Sequence, residues 1–359
     1  MKGLTKYTTL TAAIAAAGLL TATPALAQKA LTVVSWGGAY TKSQLEAYHK
    51  PYTAKTGIKI NSADYNGGLA EIRAQVEAGN VTWDAVDLEL SDVVLGCDEG
   101  ILETIDPAIL PPAPDGTPAA QDFVPGAVHE CAVGTIVWST VYAYDTTKFS
   151  GEKPSTMADF FNVKKFPGKR GMRKGPKPQL EFALIGDGVP VDKVYEVLST
   201  PEGVDRAFAA LDRIKDDVIW WEAGAQPPQM LADGEVAMTT AYNGRLFNAI
   251  FTEKKPFEIV WDGQVWDLDL WGIPRGSKNL KQTLDFIKFS TDTQRLADQA
   301  KWISYGPVRK SSLPLVAPDM QPHMPTYTEN FKNALQNNFE WWADHQDEMN
   351  ERFAAWLAK

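Results

Sequence analysis

The sequence predicts an α/β protein in two lobes, each a mostly parallel sheet flanked by helices, with the lobes joined by hinge strands. Three observations carry this expectation. Short β-rich runs alternate with helical segments along the first hundred residues, as in parallel sheets covered by helices. The pattern starts again after Thr135 with different chemistry. The chain has 359 residues, beyond the size at which a single core usually divides, yet shows no repeat, low-complexity run or long linker.

The elements follow in order. Leu31 to Trp36 is a β-rich run leading into Gly37-Gly38. Thr41 to Thr56 carries Leu45, Tyr48 and Tyr52 at helical spacing, with Gly57 as its stop. Ile58 to Ile60 opens the next strand. Leu69 to Ala78 is helical, Trp83 to Leu88 a third strand, and Val93 to Glu99 a helix stopped by Gly100. In the second part Ile136 to Tyr144 reads as a strand, Met157 to Phe166 as a helix, and Val204 to Ile214 as a helix with Val204, Phe208, Leu211 and Ile214 on one face. Glu235 to Thr240, Phe257 to Trp261 and Leu268 to Ile273 read as strands, the last crossing between lobes. Lys281 to Ala297 reads as one long helix, and Asn338 to Leu357 as an amphipathic, Trp-rich one. The expected division places 28–141 with about 273–313 in the first lobe, and about 142–272 with 314–359 in the second.

The N-terminus predicts export. Lys2 and Lys6 precede an apolar run, Leu10 to Leu20, too short to span a bilayer, and Ala25-Leu26-Ala27 has the small-x-small form of a cleavage site. Removal of the first 27 of 359 residues would leave 332 and take the formal net charge from −10 to −12, since both lysines go. Such an acidic chain is a poor partner for nucleic acid phosphates. Cys97 and Cys131 then lie in an oxidising compartment, where a disulfide is the natural reading and two buried thiols the alternative. A bridge over that interval would stabilise by about 3–4 kcal/mol through loop-closure entropy.

No catalytic set is legible. His49, His129, His323 and His345 are scattered, and no HExxH, CxxC, GxSxG or Walker-type run occurs. Neither enzyme activity, nor a cofactor, nor a bound metal is expected. Gly37-Gly38 lacks the spacing of a dinucleotide motif, and its better use is to turn strand into helix and expose amide N–H groups.

Aromatic residues are the stronger signal. The chain has 12 Trp, and Trp36, Trp138, Trp266 and Trp271 fall at strand ends, where a cleft would be lined or a core packed. Ring faces suit a cationic ligand, at ~0.5–2 kcal/mol per contact. Alternation in Val265 to Trp271 puts Asp267 and Asp269 on one face, either beside those rings or at a solvated edge. Arg245, after Tyr242-Asn243-Gly244, is placed at a strand-to-helix turn. There it either takes a carboxylate bidentately or lies on a helix surface.

In combination these segments resemble a family. Ser35 to Tyr40, Lys55 to Ile60, Val81 to Asp87 with Glu99 to Leu102, Met157 to Phe161 with Lys165 to Arg170, Tyr242 to Arg245, Ile273-Pro274 with Ser277 to Asn279, and Tyr305 to Pro307 resemble polyamine-type (spermidine/putrescine) solute-binding proteins of ABC importers. The resemblance spans essentially the whole mature chain. It implies a type II periplasmic-binding fold that closes a hinge over its ligand, a periplasmic monomer, and docking to permease subunits. Carried over by position, Trp36 and Tyr40 match the aromatic pair after the first strand, and Glu89 and Ser91 the polar cleft residues after the third. Tyr242 stands where Trp is common, Asp269 matches the amine-binding carboxylate, Tyr305 matches a cleft tyrosine, and Trp266 is a further wall.

One departure bears on the ligand. Polyamine binders carry a further acidic pair on a turn of the second lobe, where this chain reads Lys174-Gly-Pro-Lys-Pro-Gln-Leu-Glu181, with two lysines and a displaced Glu181. A polycation needs a carboxylate near each desolvated amine. Loss of that pair beside a gained Arg245 shifts the expectation from spermidine towards a shorter ligand with one ammonium and one carboxylate. Such a ligand would be 4-aminobutyrate or an opine. Ferric iron held by tyrosines is a remoter alternative, since no Tyr-Tyr pair occurs.

Overall fold

A computed structural model describes residues 30–359. The expected signal segment and its cleavage site lie outside these residues.

Eight strands carry the architecture: β1 (Leu31–Ser35), β2 (Ile60–Asp64), β3 (Ala85–Glu89), β4 (Ala132–Asp145), β5 (Arg170–Arg173), β6 (Val218–Trp221), β7 (Met238–Tyr242) and β8 (Phe257–Gly272). They run in the order β2-β1-β3-β8-β4-β7-β5-β6, with three two-residue strands attached. The outer strands are parallel, β2-β1-β3 at one end and β7-β5-β6 at the other. The two long strands between them, β4 and β8, are antiparallel to each other and to their neighbours. Each contributes its two ends to different halves of the sheet. β8 pairs with β3 from Asp269 to Gly272, while β4 pairs with β7 from Thr140 to Tyr144. Between these stretches the β4–β8 register jumps from Thr140↔Val265 to Tyr142↔Val260, so that 261–264 loop out around Gly263 at φ 69°.

The apolar cores divide accordingly. One contains Val33, Leu88, Leu102, Trp271 and Phe286. A second contains Phe160, Phe182, Leu211, Trp342 and Phe353. A third holds Tyr40, Trp138, Trp221, Tyr242, Ile303 and Tyr305. Full burial of each such side chain is worth about 1.5–3 kcal/mol, so each half has a core of its own. Leu268, Leu270 and Trp271, expected with the second lobe, pack with β1 and β3 because their strand hydrogen-bonds to β3.

Two other expectations differ from the structure. Phe257–Trp261 and Leu268–Ile273 are one strand, because β4 is long enough to pair with both. Lys281–Ala297 is two helices, Leu280–Ser290 and Thr293–Gln299, because Asp292 is extended and its carboxylate accepts from Gln294 N at 3.0 Å, capping a new start. The C-terminal helix Phe339–Leu357 is as expected. It packs in the second core and reaches the helix Leu90–Asp98, where Gln346 Nε2 donates to Asp92 Oδ1 at 3.2 Å. Cys97 and Cys131 form a disulfide joining that second helix to the start of β4.

Candidate functional site

A cavity lies where the ends of β3 and β7 meet the middle of β4 and the C-terminal part of β8. Its walls are Trp36, Tyr40, Glu89, Trp138, Tyr242, Arg245, Asp269 and Tyr305. Seven of these are sequence-predicted site residues, drawn from distant parts of the chain.

Strand ends and the turns after them aim these side chains. Trp36 follows β1, and Gly37 (φ 71°) and Gly38 (φ 57°) take the left-handed turn into the helix that presents Tyr40. The Gly37 amide is not free, contrary to expectation: it donates to Thr41 Oγ1 at 2.8 Å. The carbonyls face the site instead. Arg245, on the helix after β7, donates from Nη1 to Gly37 O at 2.6 Å and from Nη2 to Trp36 O at 3.0 Å. That guanidinium therefore ties the second half of the sheet to the first, and it is buried rather than lying on a helix surface. Gly244 lets the same turn approach closely, since a Cβ there would come within 2.7 Å of the Tyr305 ring. Ring packing fixes the aromatic walls, with Tyr40 edge-on to Tyr305 at 5.2 Å and Trp138 edge-on to Tyr242 at 5.2 Å.

Carboxylates form a row across β3 and β8, of which Glu89 and Asp269 line the cavity. Asp269 and Glu89 are direct cross-strand partners of β8 and β3, and alternation places Asp267 and Asp87 on the same face. Asp269 is 4% exposed, and its Oδ1 has no hydrogen-bond partner. Burial pushes its carboxyl well above the usual range, and the charges of Asp87, Glu89 and Asp267 push the same way. Burial raises Asp87 to about 7, offset in part by Tyr40, Gln44 and Ser35. It also raises Asp267 to about 7, helped by Glu89 and opposed by Lys177 and by the Asn337 amide, which donates at 2.6 Å. Glu89 goes the other way. Burial disfavours its charge, but Lys177 Nζ at 2.6 Å and Arg173 Nη1 at 3.5 Å outweigh burial and hold it below the usual range.

Ser91 and Trp266 are not brought into the cavity. Ser91 Oγ accepts from Lys177 Nζ at 2.7 Å and so serves the wall behind Glu89. Trp266 lies on the opposite face of β8 from Asp267, with its ring 5.6 Å from that of Phe331. Trp271 is core. Glu181 accepts from Tyr195 Oη at 2.7 Å and Trp342 Nε1 at 2.6 Å, inside the second core and away from the cavity. Arg173, Lys177 and Asp87 were missed as site residues, and Trp138 was not singled out from the other strand-end tryptophans. Asp87 could have been found, since it shares a strand face with Glu89. Arg173 and Lys177 had no local signal, because only the tertiary fold sets them against β3. Among the described residues no group of His, Cys, Asp and Glu is placed to hold a metal ion.

Residues 47–326 match the bacterial extracellular solute-binding protein family. A gamma-aminobutyric acid-binding protein of Pseudomonas aeruginosa is 44% identical over 359 residues, covering 100% of this chain and 99% of that protein. Among solved structures, the PBP MotA from A. tumefaciens B6 in complex with glucopine has 30% identity and a TM-score of 0.85, covering 91% of this chain and 99% of its own. A GABA receptor has 33% identity and a TM-score of 0.79, covering 92% and 98%. Family match, full-length identity and shared architecture agree, and the chain belongs to the bacterial extracellular solute-binding proteins.

Proposed function

We propose that the protein captures a short ω-amino acid, of which 4-aminobutyrate is the best fit, and presents it to the permease subunits of an ABC importer. The observation that carries this reading is the set of buried polar atoms around the cavity that lack partners. Asp269 Oδ1 is an acceptor, and Trp36 Nε1, Trp138 Nε1 and Arg245 Nε are N–H donors. Buried polar groups are normally paired, and each one left unpaired costs about 1–3 kcal/mol. An ammonium would donate to Asp269, and a carboxylate would accept from Trp36 and Arg245. A diamine would satisfy the acceptor and leave all three donors bare. The aromatic walls suit the methylene chain and the cation together. The gamma-aminobutyric acid-binding relative supports the same chemistry.

The division of labour follows from the fold. The first half of the sheet supplies Trp36, Tyr40, Glu89 and, through β8, Asp269, while the second supplies Tyr242 and Arg245. We place the hinge in β4 and β8 near Thr140 and Val265, where the register jumps. Closure would bring Arg245 onto the Trp36 and Gly37 carbonyls, completing the site only when the halves meet. The reading also includes a monomer, secreted to the periplasm with its signal segment removed, with no catalytic role and no nucleic acid partner.

Titration calorimetry with 4-aminobutyrate, putrescine, butylamine and butyrate tests it. The expected order is 4-aminobutyrate in the micromolar range, about −8 kcal/mol, with each single-ended analogue at least tenfold weaker. Equal or tighter binding of putrescine would contradict the reading. The pH dependence has a defined sign. Closure without ligand favours a protonated Asp269, because its carboxyl is raised, whereas an ammonium requires the carboxylate. Binding therefore displaces a proton, and affinity should rise as pH climbs above the ordinary carboxyl range towards the raised one of Asp269, by at most about tenfold per unit.

A further inference from the structure

We infer that Lys177 is a tethered counter-amine: its ammonium occupies, from within the chain, the place that the second ammonium of a diamine or polyamine would take, and so restricts the site to ligands with one cationic end. This rests on the ω-amino acid reading and names the residue that sets its specificity.

The geometry behind the ligand cavity supports this. A second cavity shares Glu89 and Trp138 with the first and is lined further by Arg173, Lys177, Asp267 and Asn337. The two spaces therefore meet at the Glu89 carboxylate. Lys177 Nζ lies 2.6 Å from Glu89 Oε2 and 2.7 Å from Ser91 Oγ. Burial disfavours its charge, yet the charges of Glu89, Asp92 and Asp267 keep it protonated. Its stem passes the Trp342 ring, 5.8 Å from Nζ to the centroid. A buried ammonium held by carboxylates beside an aromatic face has the surroundings a bound alkylammonium ligand would need. Arg173 does not duplicate it. Its guanidinium stands 3.5 Å from Glu89, donates to Asn66 O at 3.1 Å and lies over Trp36. Without Lys177, three buried or nearly buried carboxylates would face that single guanidinium. A ligand bringing a second ammonium would relieve the imbalance, and a ligand ending in a carboxylate would worsen it.

The test is Lys177→Met, which keeps the stem and removes the charge. Calorimetry of wild type and variant with 4-aminobutyrate, 1,4-diaminobutane and spermidine is expected to move the ligands in opposite directions. Binding of 4-aminobutyrate should weaken about tenfold, and at least one of the two amines should strengthen about tenfold or more. Lys177→Ala, measured in parallel with circular dichroism, keeps the test decisive if one variant fails to fold. Adding Glu89→Gln to Lys177→Met should abolish the gain. Parallel weakening of all three ligands would mean that Lys177 only braces the closed form, and would overturn the inference. So would an unchanged amine affinity in a folded variant. Failure of the underlying function would look different, because wild type itself would then not respond to 4-aminobutyrate.

Discussion

Replacing Asp269 by Asn is expected to weaken 4-aminobutyrate by about 2–5 kcal/mol, the cost of leaving a desolvated charge without its partner. The substitution keeps shape and volume, so packing against Tyr305 and Trp138 should survive. What changes is the charge at one buried oxygen, Oδ1, which lacks a protein hydrogen-bond partner. Stability should move the other way. The Asp269 carboxyl is raised by burial and by three neighbouring acids, so the folded ligand-free protein binds a proton there more tightly than the unfolded chain. Such a group contributes stability below the unfolded carboxyl range, lost as pH rises through the native value. A neutral amide removes that dependence, and Asp269→Asn should be the more stable of the two ligand-free proteins at pH 7. Calorimetry and urea titration read the two effects separately. A loss of affinity below 0.5 kcal/mol would assign the ammonium to another carboxylate.

The second large effect is expected at Arg245. Its Nη groups donate to the Trp36 and Gly37 carbonyls, and its unpartnered Nε would donate to the ligand carboxylate in the proposed site. Arg245→Ala removes both contributions, and hydrogen bonds from a charged donor are worth about 1.5–3 kcal/mol each. Affinity should fall by about 2–4 kcal/mol in total, because closing the site and holding the carboxylate share the same group. Arg245→Lys should recover only a part, since an ammonium cannot span two carbonyls and still present a third donor in plane. Small-angle scattering separates the two roles. Wild type should contract on adding 4-aminobutyrate, and Arg245→Ala should remain extended at ligand concentrations that saturate wild type.

Much of this arrangement was legible in the sequence, for reasons that differ between residues. Trp36, Tyr40, Glu89, Asp269 and Tyr305 sit at or next to strand ends, and in open α/β sheets strand ends are where ligands are held. Asp269 carried a second signal, the alternation from Val265 to Trp271. Trp266 followed the same alternation and was still misplaced, because the sequence does not tell which face of a crossing strand meets the cavity and which meets a loop such as that of Phe331. The continuity of β8 was hidden for a similar reason. Its looped residues 261–264 look like a strand break, and only pairing with β4 on both sides keeps the strand whole. Lys177 entered the sequence reading only, with Lys174, as a lysine standing where an acidic pair is lost, and Arg173 did not enter it. Their positive contribution depends on a cross-sheet approach to Glu89 that no local pattern encodes.

A crystal structure of the protein grown with 4-aminobutyrate tests the central claim most directly. The account predicts the ligand ammonium within about 3 Å of Asp269 Oδ1, and the ligand carboxylate accepting from Trp36 Nε1 and Arg245 Nε. A ligand bound in the reverse sense, or seated outside the walls formed by Tyr40, Tyr242 and Tyr305, would contradict it.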